Sequence, residues 1–295
     1  MSSGIGPKAL IIDSNYICHT AKHTMRGLSF DELQTGVIFG FFREIHRCAK
    51  KFGTRNFVFA WDSRKNFRKE IFPEYKKKRE DHRMTEEEQI ISDVAFPQFT
   101  KLRQNILPQF GFENIFIQTG YESDDLIASI VRNSSKSLDL TVVSSDADLY
   151  QLLDQCSMFN LRKKAMYGLG DFTKEYGISP KEWSMVKALA GCSTDGVPGI
   201  GGVGEITAIK HITDQLKKTP KNKDKFTSTD SQEIINRNLK LVRLPFKGTK
   251  EISLSEDNFK QETFYRDDFM DICQTYGFRS FLTELKSWET LFEMR

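Results

Sequence analysis

The runs Ala9-Leu10-Ile11-Ile12-Asp13, Phe57-Val58-Phe59-Ala60-Trp61-Asp62 and Leu140-Thr141-Val142-Val143-Ser144-Ser145-Asp146-Ala147-Asp148 are strand-length apolar segments, each closed by acid. Continuous apolar runs of this length are the mark of parallel strands buried on both faces. In an open α/β sheet the C-terminal ends of such strands meet at one crevice, where ligands bind. Carboxylates carried there crowd together and raise one another's pKa unless cationic charge sits among them. A hard divalent cation held by oxygen ligands is the usual relief. The pattern predicts a mostly parallel central sheet with helices on both faces, and a metal site at its edge.

The 295 residues are 39% hydrophobic, enough to fill one large domain or a domain with a smaller partner. No apolar stretch reaches membrane-spanning length, and the N-terminus lacks the basic, apolar, small-residue order of a secretory signal, so the expected location is the cytoplasm. Cys18, Cys48, Cys156, Cys192 and Cys273 are scattered, without CxxC pairs or His at metal spacing, and read as reduced thiols. Net charge is only +3, yet from Arg64 to Arg83 nine Lys/Arg stand against four Asp/Glu, interleaved with Phe67, Phe72 and Tyr75. Basic residues mixed with aromatics suit a surface that follows a phosphate backbone and stacks on bases. A second basic stretch, Lys217, Lys218, Lys221, Lys223 and Lys225, is broken by Pro220 and Asn222 and reads as a solvated loop.

Periodicity places a helix from about Phe30 to Phe52, ended by Gly53, and another from Thr85 to about Leu107 with Glu86, Glu87 and Glu88 in its first turn. A strand is expected at Asn114 to Ile117, a helix from Gly120 through Ile130, and a strand at Ser157 to Leu161 before a hairpin. This alternation is of the doubly wound kind. Past about Pro180 helical signals take over, and a domain boundary is expected there.

The helix after Gly120 opens with Glu122-Ser123-Asp124-Asp125. Glu122 and Asp125, three apart, share a face and could both look into the crevice. Acids in a first helical turn are also ordinary capping and dipole chemistry, as is Ser-Asp-Ala-Asp before a helix. The conjunction of three strand ends and one helix start carries the argument. Farther on, Gly191-Cys192-Ser193-Thr194-Asp195-Gly196-Val197-Pro198-Gly199-Ile200-Gly201-Gly202-Val203-Gly204 joins two helical segments. Gly199-x-Gly201-x-x-Gly204 matches the dinucleotide fingerprint literally, but that motif must follow a strand, which Val197-Pro198 after a helix is not. A glycine hairpin with amides at the start of the next helix suits one DNA phosphate instead.

Taken together, Ile12-Asp13-Ser14-Asn15, Trp61-Asp62, Phe67-Arg68, Pro73-Glu74-Tyr75-Lys76-Lys77-Lys78-Arg79, Tyr121-Glu122-Ser123-Asp124-Asp125, Ser144-Ser145-Asp146-Ala147-Asp148 and the glycine hairpin resemble, in order and spacing, the 5′-nucleases. That family comprises phage 5′-3′ exonucleases, phage RNase H-type nucleases, flap endonucleases and the 5′-nuclease domains of bacterial DNA polymerases. Asn238-Leu239-Lys240-Leu241-Val242-Arg243-Leu244-Pro245 also looks like a segment that follows the hairpin in phage members. The resemblance implies a PIN-like α/β nuclease core at residues 1–179, a basic helical arch at about 64–100, and a C-terminal helical domain at 180–295 with a helix-hairpin-helix element at 191–204. It implies a divalent-metal-dependent, structure-specific 5′-3′ exonuclease and flap endonuclease acting on branched or nicked duplex DNA, RNA primers or RNA-DNA hybrids, in replication or repair.

By the same resemblance Asp13, Asp62, Glu122, Asp124, Asp125, Asp146, Asp148 and Asp195 match carboxylates that hold two Mg²⁺ or Mn²⁺. Hard oxygen ligands without His agree with that choice over zinc. Lys76 and Arg79, three apart on an expected helix, match residues on the scissile phosphate, with Arg68 a third candidate. Tyr75 would stack on an unpaired base, Lys77 and Lys78 belong to the same DNA-binding run, and Gly199, Gly201, Gly202 and Gly204 would grip duplex phosphates, with K⁺ on the loop carbonyls. The implied partners are DNA with free 5′ ends, flaps or nicks and replication proteins such as a single-strand-binding protein or clamp. The implied state is a monomer, in the host cytoplasm if the source is a phage.

One position departs from the family. Its hairpin usually begins Gly-Asp with a second acid three residues on, whereas here it is Gly191-Cys192 with only Asp195 kept. A thiol is a poor Mg²⁺ ligand. The alternative reading is therefore a branched-DNA-binding protein with weak or lost cleavage. A smaller PIN-type ribonuclease would lack the hairpin and arch, and a phosphatase or nucleotide-binding enzyme would need a Walker loop or DxDxT that the chain does not have.

Overall fold

The computed structural model describes residues 7–77, 85–217 and 219–295. Its centre is a six-stranded sheet built from β1 (Lys8–Asp13), β2 (Phe57–Trp61), β3 (Ile115–Ile117), β4 (Asp139–Val143), β5 (Ser157–Asn160) and β6 (Ala165–Tyr167). The strand order is β3-β2-β1-β4-β5-β6, and every pair is parallel except the terminal β5-β6 hairpin. The chain moves outward from β1 through β2 to β3, then returns to β4 on the other side of β1. That reversal puts a topological switch point, and with it a crevice, at the C-terminal ends of β1 and β4.

The strands are apolar throughout because both faces are covered. Leu10 and Ile12 of β1, with Phe57, Phe59 and Trp61 of β2, face one core; Ala9 and Ile11, with Val58 and Ala60, face the other. The first core is closed by α1 (Ser14–Thr24), α2 (Gly36–Phe52) and α3 (Glu86–Lys101), and by C-terminal residues such as Phe264, Trp288 and Phe292. The second is closed by α4 (Ser123–Asn133) and α5 (Trp183–Ala190), with Ala208 of α6 (Glu205–Ile212) and Ile235 of α7 (Thr229–Val242). Residues beyond 180 thus pack on both faces of the sheet. Among the described residues no helix is long and apolar enough to cross a membrane.

Several boundaries differ from the periodicity reading, each for a local reason. The helix expected from Phe30 begins at Gly36, because Asp31 and Glu32 adopt left-handed backbone and turn Ser29–Phe30 back onto Leu33–Gln34. The helix expected from Gly120 begins at Ser123, where Glu122 and Asp125 form a capping box. α3 starts as expected, on the Thr85–Glu88 capping box, but after Pro97 the turns widen into a π-helical segment, Leu102–Ile106. The second basic stretch is a loop only in part: Lys217 lies outside any helix and Lys218 lies outside the described residues, but Pro220–Thr227 is helical, and the proline read as a break occupies the first helical position, where its missing N–H costs nothing.

Candidate functional site

The crevice collects the acids that end the strands. Asp13, at the last residue of β1 and the cap of α1, accepts from Tyr16 N at 3.2 Å and from the Ser144 hydroxyl at 2.9 Å. Asp62, one residue past β2, accepts from Ser123 N at 2.7 Å, and the Ser123 hydroxyl lies 3.4 Å from Asp13. Asp146 accepts from Asp148 N at 2.8 Å, and its own amide donates to the Ser144 hydroxyl oxygen at 3.2 Å. Burial, followed by the charge of Asp62, pushes the Asp13 carboxyl up to about 7. Burial and then Asp146 and Asp13 raise Asp124 as well, and burial with Glu122 raises Asp62. Asp148 is pushed up to about 6 by burial and Asp146, with Lys187 opposing. Mutually repelling, oxygen-only, partly buried carboxyls fit the requirements of divalent cations. Asp13, Asp62, Asp124 and Asp146 could hold one.

A second group lies beside the first. Ligand atoms of Asp148, Cys192 and Asp195 all fall within 4.8 Å of one another. The thiol is 3.1 Å from the Thr194 hydroxyl, and burial together with Asp148 and Asp195 raises its pKa, so it stays protonated at neutral pH. Two ammonium groups flank these acids. Lys76 pairs with Glu122 and lies 3.8 Å from Asp195, while its own amide donates to the Asp195 carbonyl at 2.7 Å. Lys187 lies 3.3 Å from both Asp148 and Glu205. Burial alone would depress both lysines, but their carboxylate partners outweigh it and hold each above the ordinary value. Lys187 escaped sequence reading because it stands alone on α5; only its four-residue spacing from Gly191 ties it to the hairpin.

Four expected placements are corrected. Asp125 does not face the crevice: it is 0% exposed, and both its oxygens take the Arg68 guanidinium at 2.7 Å. Arg68, expected on a phosphate, is 2% exposed, and its Nε donates to the Leu241 carbonyl at 2.8 Å. Tyr75 is likewise buried, with its hydroxyl donating to Glu122 at 2.9 Å, so its ring packs against protein rather than presenting a face for a base. Lys76 has left-handed backbone, φ 56°, in a turn and not on a helix. Glu122 serves as a hub, taking Asn66, Tyr75, Lys76 and Arg68; Lys76 and Arg68 overcome burial and lower its pKa. Lys77 is exposed beside them, and Lys78 and Arg79 lie outside the described residues.

At the hairpin, Val197–Pro198 pairs antiparallel with Gly191–Cys192. Gly199 is required by close approach, since a Cβ there would stand 2.2 Å from the Ala190 carbonyl carbon. Gly201, Gly202 and Gly204 are exposed where α5 meets α6, next to Ile206, which is 72% exposed. Asn238, in the segment noted after the hairpin, donates to the Ala188 and Pro198 carbonyls at 2.9 Å and so ties α7 to both sides of the turn.

Residues 8–177 match the family described as 5′-3′ exonuclease, N-terminal resolvase-like domain. The chain belongs to that family. A 5′-3′ exonuclease of Buchnera aphidicola subsp. Schizaphis graminum is 30% identical over 265 residues, covering 86% of this chain and 82% of the relative. DNA polymerase I of Bacillus caldotenax is 26% identical across 95% of this chain, which spans only 32% of that longer protein. Among solved structures, a phage T5 protein co-crystallised with metal ions superposes with a TM-score of 0.69 at 25% identity, covering 81% of this chain and 90% of its own. A phage T5 flap endonuclease variant in a complex with DNA and metal ions gives 0.68 at 25% identity, covering 81% and 89%. This 5′-3′ exonuclease family member is a metal-dependent, structure-specific 5′ nuclease with a PIN-like, resolvase-like fold.

The raised carboxyls set a pH dependence. Asp13 holds its proton to about pH 7 in the folded chain, against an ordinary value of 3.8, and Asp148 to about 6. Between these limits the native state binds more protons than the unfolded chain, so stability falls as pH rises. With chelator present, the melting temperature is expected to be lower at pH 8 than at pH 5.5, and Mg²⁺ is expected to recover most of the loss at pH 8 only. An unchanged or rising melt across that range in chelator would contradict the crowded-carboxyl description.

Proposed function

We propose that this nuclease cuts DNA at 5′ flaps and nicks, and RNA-DNA hybrids bearing a 5′ end, during replication or repair, using two Mg²⁺ (or Mn²⁺) held by Asp13, Asp62, Asp124, Asp146, Asp148 and Asp195. The observation that carries the reading is the acidic crevice at the switch point, flanked by Lys76 and Lys187. Divalent cations there would activate a water and neutralise charge developing on the phosphate. The chain's own part is to place a phosphodiester against them. Lys76 is tethered through its amide to Asp195, so its ammonium can leave Glu122 for a phosphate oxygen without moving the backbone. Lys187, paired with Asp148 and Glu205, can likewise exchange a carboxylate for a phosphate oxygen. The exposed glycines at the start of α6 would grip one duplex phosphate at a distance from the cut, by backbone contacts free of sequence preference. K⁺ on the loop carbonyls would add to that grip, and Lys225 already lies 3.4 Å from the Gly202 carbonyl. A core of residues 1–179 with a DNA-gripping helical part at 180–295, acting as a monomer in the cytoplasm beside a single-strand-binding protein or clamp, completes the reading.

Its test is cleavage of 5′-labelled flap and nicked duplexes in Mg²⁺, Ca²⁺ or chelator, with wild type and Cys192→Asp side by side. Because Cys192 shares a cluster with Asp148 and Asp195, an added carboxylate gives that group a hard oxygen, and the half-maximal Mg²⁺ concentration is expected to fall several-fold. Wild type that binds flaps but never cuts them, while Cys192→Asp cuts, would favour the branched-DNA-binding alternative. If the Mg²⁺ midpoint stays put and the melting temperature drops, Cys192 is a packing residue.

A further inference from the structure

The group formed by Asp148, Cys192 and Asp195 differs in kind from the oxygen-only acids beside it. Its ligand atoms lie within 4.8 Å of one another, close enough for one cation to touch all three. The sulfur is held where it is. Cys192 is 6% exposed, its backbone pairs antiparallel with Val197, and its side chain belongs to a small apolar cluster with Tyr75, Ala188 and Leu241. The Thr194 hydroxyl stands 3.1 Å from Sγ on the turn that follows. A sulfur fixed by strand pairing beside two carboxylates is a preset donor atom.

Charge then decides what such a group can bind. Both carboxylates already face ammonium groups, Asp148 with Lys187 at 3.3 Å and Asp195 with Lys76 at 3.8 Å. Two negative charges against two positive ones leave little net field for a small, strongly hydrated ion. Mg²⁺ gives up its water reluctantly and prefers oxygen ligands, and a neutral thiol offers it neither charge nor a suitable donor. A borderline ion such as Zn²⁺ or Co²⁺ meets the same three residues differently. It takes the sulfur as thiolate, the thiol proton passing to solvent as the sulfur–metal bond forms, and the new negative charge restores what the ammonium groups cancel.

We propose that Asp148, Cys192 and Asp195 form a site selective for a thiophilic dication of the Zn²⁺ or Co²⁺ class, which Mg²⁺ fills only in large excess. The proposal deepens the 5′-nuclease reading and rests on it, since that reading supplies the need for a second cation. Hard and borderline ions then sort between two neighbouring groups, Mg²⁺ to the oxygen-only acids and the thiophilic ion to the sulfur. Supply of a trace transition metal, and not of Mg²⁺ alone, governs how fully the second group is filled.

Cobalt absorbance tests this without reference to activity, because a thiolate on Co²⁺ gives a near-ultraviolet charge-transfer band that carboxylates do not. The full chain is titrated with Co²⁺ in the presence of Mg²⁺. The band is expected to saturate at one equivalent per chain, and to fall to half only when Mg²⁺ is in about a hundredfold excess over Co²⁺. Cys192→Ser nearly keeps the side-chain volume and leaves the other four cysteines in place, and it is expected to lose the band. A melt matching wild type establishes that this variant is folded. Asp148→Asn keeps the sulfur and removes one charge, and is expected to raise the Co²⁺ midpoint about tenfold, so it decides the question should Cys192→Ser not fold. The proposal is overturned by no band in wild type, by a band that survives in Cys192→Ser, by bleaching at equimolar Mg²⁺, or by an unchanged midpoint in Asp148→Asn. Cleavage of a nicked duplex is measured alongside. Cutting in Mg²⁺ without a cobalt band overturns the sulfur site and leaves the nuclease reading standing. A band on a chain that cuts nothing, in Mg²⁺ alone or with Co²⁺ added, upholds the sulfur site and removes the nuclease reading.

Discussion

Asp146→Asn is expected to abolish cleavage of a nicked duplex, by about a thousandfold or more in single-turnover rate, and to leave duplex affinity unchanged or tighter. The amide keeps the short-range structure, because an Asn oxygen can still accept from Asp148 N at 2.8 Å. What it removes is a charge that Asp13, Asp124 and Asp148 all feel. A thousandfold loss corresponds to about 4 kcal/mol of transition-state stabilisation, a reasonable cost for a missing cation ligand in a catalytic centre. Binding moves the other way, because one fewer carboxylate repels the phosphate backbone. Full cleavage by this variant at saturating Mg²⁺ would remove Asp146 from the metal centre.

Arg68→Ala is expected to destabilise the fold by about 3–5 kcal/mol, read as a shift in the urea midpoint at constant slope. The guanidinium makes two 2.7 Å bonds to Asp125, a 2.8 Å bond to the Leu241 carbonyl and a 4.7 Å approach to the Phe246 ring. Removing it leaves Asp125 buried with only the backbone amides of Phe246 and Glu122 for its charge. Breaking a buried pair from one side costs more than the pair is worth, so Arg68→Met with Asp125→Leu should recover much of the loss. A residue whose task is to touch DNA would behave oppositely, sparing stability and lowering only the cutting rate. Wild-type stability in Arg68→Ala would therefore reinstate the phosphate-contact role that the sequence suggested for it.

The acids at the strand ends were legible because burial on both faces imposes a local pattern, and parallel strands deliver their C-terminal residues to one edge whatever else the chain does. Asp13, Asp62 and Asp146 follow from that rule. What the tertiary structure alone decided is which neighbours of those acids face the crevice. Glu122 and Asp125 share a helix face by spacing, yet Asp125 turns into the core, because Arg68 arrives from 57 positions earlier in the chain and α7 supplies the Leu241 carbonyl behind it. Lys187 carried no readable signal, since a single basic residue on a helix is ordinary until the fold sets it against Asp148. Strand-end chemistry is written in residues adjacent in sequence, whereas the partner of a buried charge is chosen by packing among segments that meet only when the chain has folded.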